Sequence, residues 1–288
     1  MEIVRSVPKL PPRPAEGHKG TFGRVLVVAG SMGMTGAAAL TGRAALRAGA
    51  GLVRVATAKS ALPVVASIEP SYTTLPLAED TAGRIASKAT NTILNAAQEN
   101  DVVAVGPGMG QSAGLRCVVE ALLQQNGLRL VIDGDGLNNL SRLTGWPDKC
   151  KANVVLTPHP GEMKRLMFGL FREQSEASRQ EIAVGVAQST KTVIALKGAG
   201  TVVTDGRRAY TNTTGNPGMG TAGSGDVLTG VIAALMGQGM SDFDATVLAV
   251  YLHGLAGDIA ADRLGQISVM ATDLIDALPE AFQKATCC

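Results

Sequence analysis

Apolar residues in this chain fall in short unbroken runs, separated by glycine turns and by longer stretches of mixed polarity. Arg24-Val25-Leu26-Val27-Val28-Ala29-Gly30 is one such run. It is short and apolar at consecutive positions, the pattern of a strand buried on both faces. The turn Gly30–Gly36 then opens an alanine-rich stretch, Ala37–Ala48, that predicts a helix. The alternation continues with strands at Leu52–Thr57, Asp101–Val105, Leu128–Ile132, Asn153–Leu156 and Lys191–Leu196, and helical sequence at Gly83–Gln98, Ser112–Gln125 and Gln174–Ser189. Strands that alternate with helices predict an α/β fold, a three-layer α/β/α sandwich around a mostly parallel sheet. Thr201–Thr204 and Arg208–Thr211 flank Asp205-Gly206, a hairpin signal that predicts an antiparallel edge. Asp242–Leu264 and Ala271–Ala285 read as covering helices, and the proline-rich residues 1–17 as an extended arm before one domain spanning 18–288.

Composition narrows the class of partner. A formal net charge of +2 supplies no basic field, and aromatic residues at 3% leave few rings for bases to stack on, so nucleic acid is not an expected partner. No apolar run reaches membrane-spanning length or looks like a leader peptide, which predicts no membrane association and a cytoplasmic protein. Cys117, Cys150, Cys287 and Cys288 show no zinc spacing and read as reduced thiols, the last two incidental to function. The 35 glycines have no repeating period and point to tight turns and close backbone approaches.

The candidate chemistry lies in the turns. Asn216-Pro217-Gly218-Met219-Gly220-Thr221-Ala222-Gly223-Ser224-Gly225-Asp226 runs into a small-residue helix, so successive amides can converge at the positive end of the helix dipole. Such a turn forms an anion hole, with Asp226 at its rim either to take a proton or help hold a metal ion, or merely as a first-turn acid. Gly106-Pro107-Gly108, Asp133-Gly134-Asp135, Thr157-Pro158-His159-Pro160-Gly161-Glu162 and Lys197-Gly198-Ala199-Gly200-Thr201 also follow strands. In a doubly wound sheet these loops gather at one edge, the ligand crevice of that architecture. His159 and Glu162 fit either a positioned site or a capped turn, and Asp133 and Asp135 either ligand contacts or caps. Lys197 suits phosphate neutralisation or plain solvation. His253 reads as a packed helix residue. The glycine spacing after Ala29 is GxxGxxG and no acid closes the next strand, so the dinucleotide fingerprint fails, and no GxxxxGK[ST] is present.

These motifs, with His18-Lys19-Gly20-Thr21-Phe22-Gly23, Gly30-Ser31, Gly36-Ala37-Ala38 and Gly223-Ser224-Gly225-Asp226, resemble the ADP/ATP-dependent NAD(P)H-hydrate dehydratases of the ribokinase-like superfamily, from about His18 to the last helix. The resemblance implies repair of the S epimer of NADHX or NADPHX at the expense of ADP or ATP. It implies substrate contacts at Ala38, Gly108, His159 and Asp226, and an adenine-nucleotide site at Lys197, Gly198, Ala199, Gly200, Thr201, Gly223, Ser224 and Gly225. It further implies Asp226 as the catalytic base, Mg²⁺ organised by Glu162, a homotetramer, and a separate protein for epimer interconversion, since the epimerase domain often fused upstream has no counterpart here. His159 stands where many vitamin kinases of the superfamily carry Asn, and Gly220 replaces a common alanine. Two other readings remain open from the residues themselves: a ribokinase-like kinase of a small vitamin-precursor alcohol, and a non-catalytic nucleotide sensor.

Overall fold

The computed structural model describes residues 1–172 and 177–286 of the chain. Ten strands form one sheet: β1 (Glu2–Ile3), β2 (Arg24–Val28), β3 (Leu52–Ala58), β4 (Thr73–Leu77), β5 (Val102–Val105), β6 (Arg129–Ile132), β7 (Asn153–Leu156), β8 (Val193–Leu196), β9 (Val202–Thr204) and β10 (Arg208–Thr211). Their spatial order is β1-β10-β9-β8-β7-β6-β5-β2-β3-β4. β2 through β8 are all parallel, and β9 and β10 supply the expected antiparallel edge.

Side-chain alternation along the strands creates two cores. Val25 and Val27 enter one apolar cluster while Leu26 and Val28 enter the other, and all four are fully buried. Both faces must therefore be covered, which gives three layers. On the first face lie helices Thr35–Arg47, Ser224–Gly237, Asp242–Leu264 and Ala271–Thr286, and on the second Thr90–Gln98, Ala113–Leu123, Pro160–Phe171 and Arg179–Thr190. The chain moves outward from β2 to β4, then returns to β5 on the other side of β2 and continues to β8. That reversal opens a switch-point crevice beyond the carboxyl ends of β2 and β5, where Gly30 N donates to Pro107 O at 2.8 Å.

The elements that pattern alone did not reveal are those with weak burial. β4 buries only Leu77 fully, and Pro76 interrupts its apolar sequence, so it carries little strand signal. The helix expected from Gly83 begins at Thr90, because Glu79 pairs with Ile85 across an isolated bridge and Ser87–Ala89 forms a 3₁₀ turn first. The helix expected from Gln174 is seen from Arg179, capped reciprocally by Ser178 and Glu181. Gln174 lies outside the described residues, as do Cys287 and Cys288. Cys117 and Cys150 are free thiols. The arm is extended, and within this chain β1 adds in parallel to β10, outside the hairpin that pattern placed at the edge. Val4, Val7 and Leu10 then pack against the first core. Among the described residues, no helix is long and apolar enough to cross a membrane.

Helix Ser224–Gly237 approaches helix Thr35–Arg47 so closely that a Cβ on Gly230 would lie 2.2 Å from Thr41 O. Backbone cannot yield there as a flexible side chain would. Gly230→Ala is expected to cost about 1–3 kcal/mol, the usual penalty for overpacking, and to lower the melting temperature; an unchanged melting temperature would show that the two helices are not held in register by this contact.

Candidate active site

The carboxyl ends of β6, β7 and β8 and the start of helix Ser224–Gly237 bring four ionisable side chains together. Asp133, just beyond β6, is 2% exposed and accepts from Thr157 Oγ1 at 2.8 Å and from Lys197 Nζ at 2.5 Å. Lys197 Nζ also lies 4.0 Å from Glu162 Oε2. A Cβ placed on Gly225 would sit 3.0 Å from the same ammonium, so a side chain there would crowd the lysine at the helix start. Asp226 completes the group one residue later. Its carboxylate turns back over the glycine loop, with Oδ2 3.9 Å from where a Cβ on Gly223 would stand.

Three carboxyl groups thus face one ammonium, and their protonation follows. Burial pushes Asp226 up to about 7, helped by repulsion from Asp133 and opposed by Lys197. Burial likewise pushes Glu162 up to about 7, with Lys197 opposing and Asp133 reinforcing. Burial alone would lower Lys197, but attraction from Asp133 and Glu162 outweighs it and raises the pKa. The carboxyl groups differ in their commitments. Asp133 is held by Thr157 and Lys197, and Glu162 accepts from His159 N at 2.9 Å. Asp226 accepts no hydrogen bond among the described residues, which leaves its oxygens free for an incoming proton.

The glycine loop has the geometry of an anion hole. Gly223 takes the left-handed conformation, φ +88°, and caps helix Ser224–Gly237 without a side chain. Ser224 N is engaged with Thr221 O at 3.4 Å, whereas the amides of Gly223, Gly225 and Asp226 make no backbone hydrogen bond among the described residues. The free donors therefore extend one residue further into the helix than the sequence reading placed them. Behind the loop, His253 Nε2 lies 2.9 Å from Ser224 O and 3.3 Å from Ser224 Oγ. Burial lowers His253 to about 4, so it is neutral and can donate to that carbonyl. His253 is accordingly a positioning residue for the first turn, a role that a histidine inside an apolar helix pattern does not announce.

The remaining sequence candidates divide into two groups. His159 stands at the head of helix Pro160–Phe171, where Nδ1 accepts from Gly161 N at 3.0 Å and Glu162 N at 3.4 Å, so the turn is a reciprocal capping box. Its ring remains half exposed toward the cluster, with Nε2 3.4 Å from Glu162 Oε1. Burial, then Lys197 and Arg165, lower its pKa, so the ring is neutral at pH 7. Gly108, φ +58°, accepts from Ser31 Oγ at 2.9 Å at the switch-point crevice. Ala38 is fully buried behind Gly30 and presents no side-chain surface there. Gly198, Ala199 and Gly200 are exposed beside Lys197, and Thr201 Oγ1 closes the turn on Gly198 O at 3.0 Å. Arg179, which sequence reasoning passed over, clamps this loop by donating to Leu196 O, Lys197 O and Ala199 O. Asp135 caps no helix: it opens the short helix Asp135–Leu140 and accepts from Gly110 N at 2.9 Å, which ties the loop after β5 to the loop after β6. No group of three His, Cys, Asp or Glu side chains among the described residues is arranged as a metal cage. A hard cation carried in by phosphates needs only one or two carboxylates, and a buried set short of positive charge fits such an ion.

Comparison with known proteins places the chain in a family and a fold. A family model described as NAD(P)H-hydrate dehydratase matches residues 25–280. The chain is 46% identical over 278 residues to the bifunctional NAD(P)H-hydrate repair enzyme Nnr of Moorella thermoacetica, covering 96% of this chain and 52% of that protein. It thus spans about half the length of the curated relatives it matches. The ADP/ATP-dependent NAD(P)H-hydrate dehydratase from Bacillus subtilis, co-crystallised with ATP/Mg²⁺, superposes with a TM-score of 0.79 at 30% identity, over 96% of this chain and 94% of that one. Ribokinase from Thermotoga maritima shares the fold at a TM-score of 0.53 and 15% identity, over 89% of this chain and 99% of that one.

The raised Asp226 pKa has a thermodynamic consequence with a fixed sign. A carboxyl group whose folded pKa exceeds its unfolded value favours folding below the unfolded value, about 3.8, and that contribution is lost as pH rises through about 7. Asp226→Asn removes the charge and keeps the shape. It is expected to leave stability near wild type only below about pH 4 and to raise the melting temperature increasingly above it, by roughly 2–4 °C at pH 8, what ~1 kcal/mol yields in a large domain. A melting temperature lowered at pH 8 would show that the Lys197 attraction outweighs burial.

Proposed function

Given that this chain belongs to the NAD(P)H-hydrate dehydratase family, we propose that it dehydrates the S epimer of hydrated NADH or NADPH at the expense of ADP or ATP. The observation that carries this reading is the free Asp226 carboxylate facing an amide cradle, with Lys197 across from it. Water added to the nicotinamide ring leaves a hydroxyl, and hydroxide is a poor leaving group. In the first step Asp226 takes the hydroxyl proton as the oxygen attacks the terminal phosphorus, and the shortened nucleotide departs. A base with a pKa near 7 is matched to that task. The amides of Gly223, Gly225 and Asp226 are placed to meet charge developing on the transferred group, and their preorganisation by His253 spares reorganisation during the reaction. Phosphate then leaves with the C–O bonding pair while a proton departs from the neighbouring carbon, which restores the ring double bond.

The nucleotide lies along Lys197–Thr201 and the loop Gly223–Gly225 in this reading, with Lys197 holding phosphate. The hydrated ring enters past Gly108 and His159, where the neutral imidazole can accept or donate. Ala38 acts from behind, by setting how closely Gly30 approaches. Glu162 would hold Mg²⁺, which would neutralise phosphate charge when bound. The same reading includes a cytoplasmic homotetramer working beside a separate NAD(P)HX epimerase, and no nucleic-acid or membrane partner. Its support is the near-balanced charge, the scarcity of aromatic residues and the family relationship.

Incubating the protein with ATP or ADP and hydrated NADPH, and following absorbance of the reduced ring together with released phosphate, tests the proposal. Recovery of both is expected; a stable phosphorylated product would assign the site to an alcohol kinase instead. Asp226→Asn should bind nucleotide normally yet lose turnover by at least about 10²-fold, the lower range for removal of a general base. Undiminished turnover would eliminate Asp226 as that base.

A further inference from the structure

One strongly charged groove lies beside the site and has no part in the chemistry above. It occupies about 590 Å³ between residues 141–144 and helix Pro160–Phe171. Arg142, Lys164, Arg165 and Arg172 line it, together with Phe168, a residue 54% exposed. None of the four cations forms an ion pair with an acidic side chain among the described residues. Arg165 Nε donates to Asn138 Oδ1 at 2.8 Å, and Arg165 Nη1 stands 3.8 Å from where a Cβ on Gly161 would be, so this side chain bridges the His159 turn and the groove. Arg172, φ +60°, lies over the Phe168 ring at 5.9 Å from its centroid. From Gly161 to Arg172 the helix runs about 16 Å at 1.5 Å per residue.

Four like charges around one concavity repel each other and bring no stability of their own, in a chain whose formal net charge is only +2. An aromatic face among guanidinium groups matches a nucleobase that stacks while its phosphate is held bidentately. We propose that this groove binds the adenosine end of the dinucleotide substrate and selects the form bearing a 2′-phosphate. The inference rests on the dehydratase reading for the identity of the substrate, and on the groove's own chemistry for the ligand class. A phosphate monoester carries close to two negative charges at neutral pH, and Lys164, Arg142 and Arg172 would answer it. Arg165 would mark where the molecule passes from the groove to the reacting end.

The probe is 2′,5′-ADP, compared with 5′-AMP, titrated into the full chain with a non-hydrolysable ATP analogue saturating the nucleotide site. For Lys164→Ala/Arg172→Ala and for Arg142→Ala, 2′,5′-ADP binding should weaken by at least about tenfold, the loss of one charge-assisted hydrogen bond, with little change for 5′-AMP. In turnover the same variants should raise KM for hydrated NADPH by a similar factor and leave kcat, KM for ATP and KM for hydrated NADH nearly unchanged. Equal weakening for all these ligands would reduce the groove to general electrostatic attraction and overturn the proposal, as would no change in any of them. If the wild-type chain turned over neither hydrate, the dehydratase reading would fail, while the 2′,5′-ADP titration would still decide whether the groove is a phosphate site.

Discussion

The arrangement of this molecule depends on a single ammonium confronting three carboxyl groups. Lys197 bonds Asp133, approaches Glu162 and faces Asp226 across Gly225. Burial pushes two of the acids, Glu162 and Asp226, up to about 7, and a single positive charge shared among three carboxyl groups does not offset it. The protein tolerates this imbalance because each side chain is fixed from a different element. β6 delivers Asp133, the β7 turn delivers Glu162, β8 delivers Lys197, and the helix after the hairpin delivers Asp226. The resulting deficit of positive charge favours an incoming cation or a proton in transit, and either is useful where phosphate changes hands.

The sheet makes that convergence possible. Seven parallel strands send their carboxyl ends to one rim, and the return from β4 to β5 splits that rim at the switch point. Loops separated by long stretches of chain consequently meet. The cost falls on close contacts: a side chain on Gly225 would crowd Lys197, and Gly230 must lack one for two helices to approach. Both glycines lie on helix Ser224–Gly237, whose first turn His253 secures from behind. A site built on a rigid helix start and held by a buried neutral imidazole can present donors with little thermal spread.

Much of this was legible in the sequence, because its strongest signals were those under most physical pressure. Apolar runs at β2, β5, β7 and β8 had to be unbroken to satisfy two cores, and their glycine turns had to sit at the rim. β4 escaped notice because an edge strand needs no such pattern. Arg179 and His253 escaped for a different reason. A residue that acts by hydrogen bonding a carbonyl distant in sequence has no local motif, and only the fold brings Ser224 O to His253 or Leu196 O to Arg179. His159 was ambiguous between capping and ligand contact, and its two ring nitrogens divide the roles: Nδ1 fastens the helix and Nε2 faces the cluster. Where chemistry and capping want the same residue, no pattern of spacing can separate them.

The pairing of β1 with β10 bears on the order in which the polypeptide becomes structured. Glu2 and Ile3 have no lattice position until Arg208 and Ala209 have been synthesised and the hairpin has closed. These two residues therefore lack their sheet partner until a hairpin about two hundred positions further along has been made. Their long sequence separation from β10 makes this a pairing of high contact order, and it leaves at that edge of the sheet a strand only two residues long, which offers a neighbouring chain little to pair with.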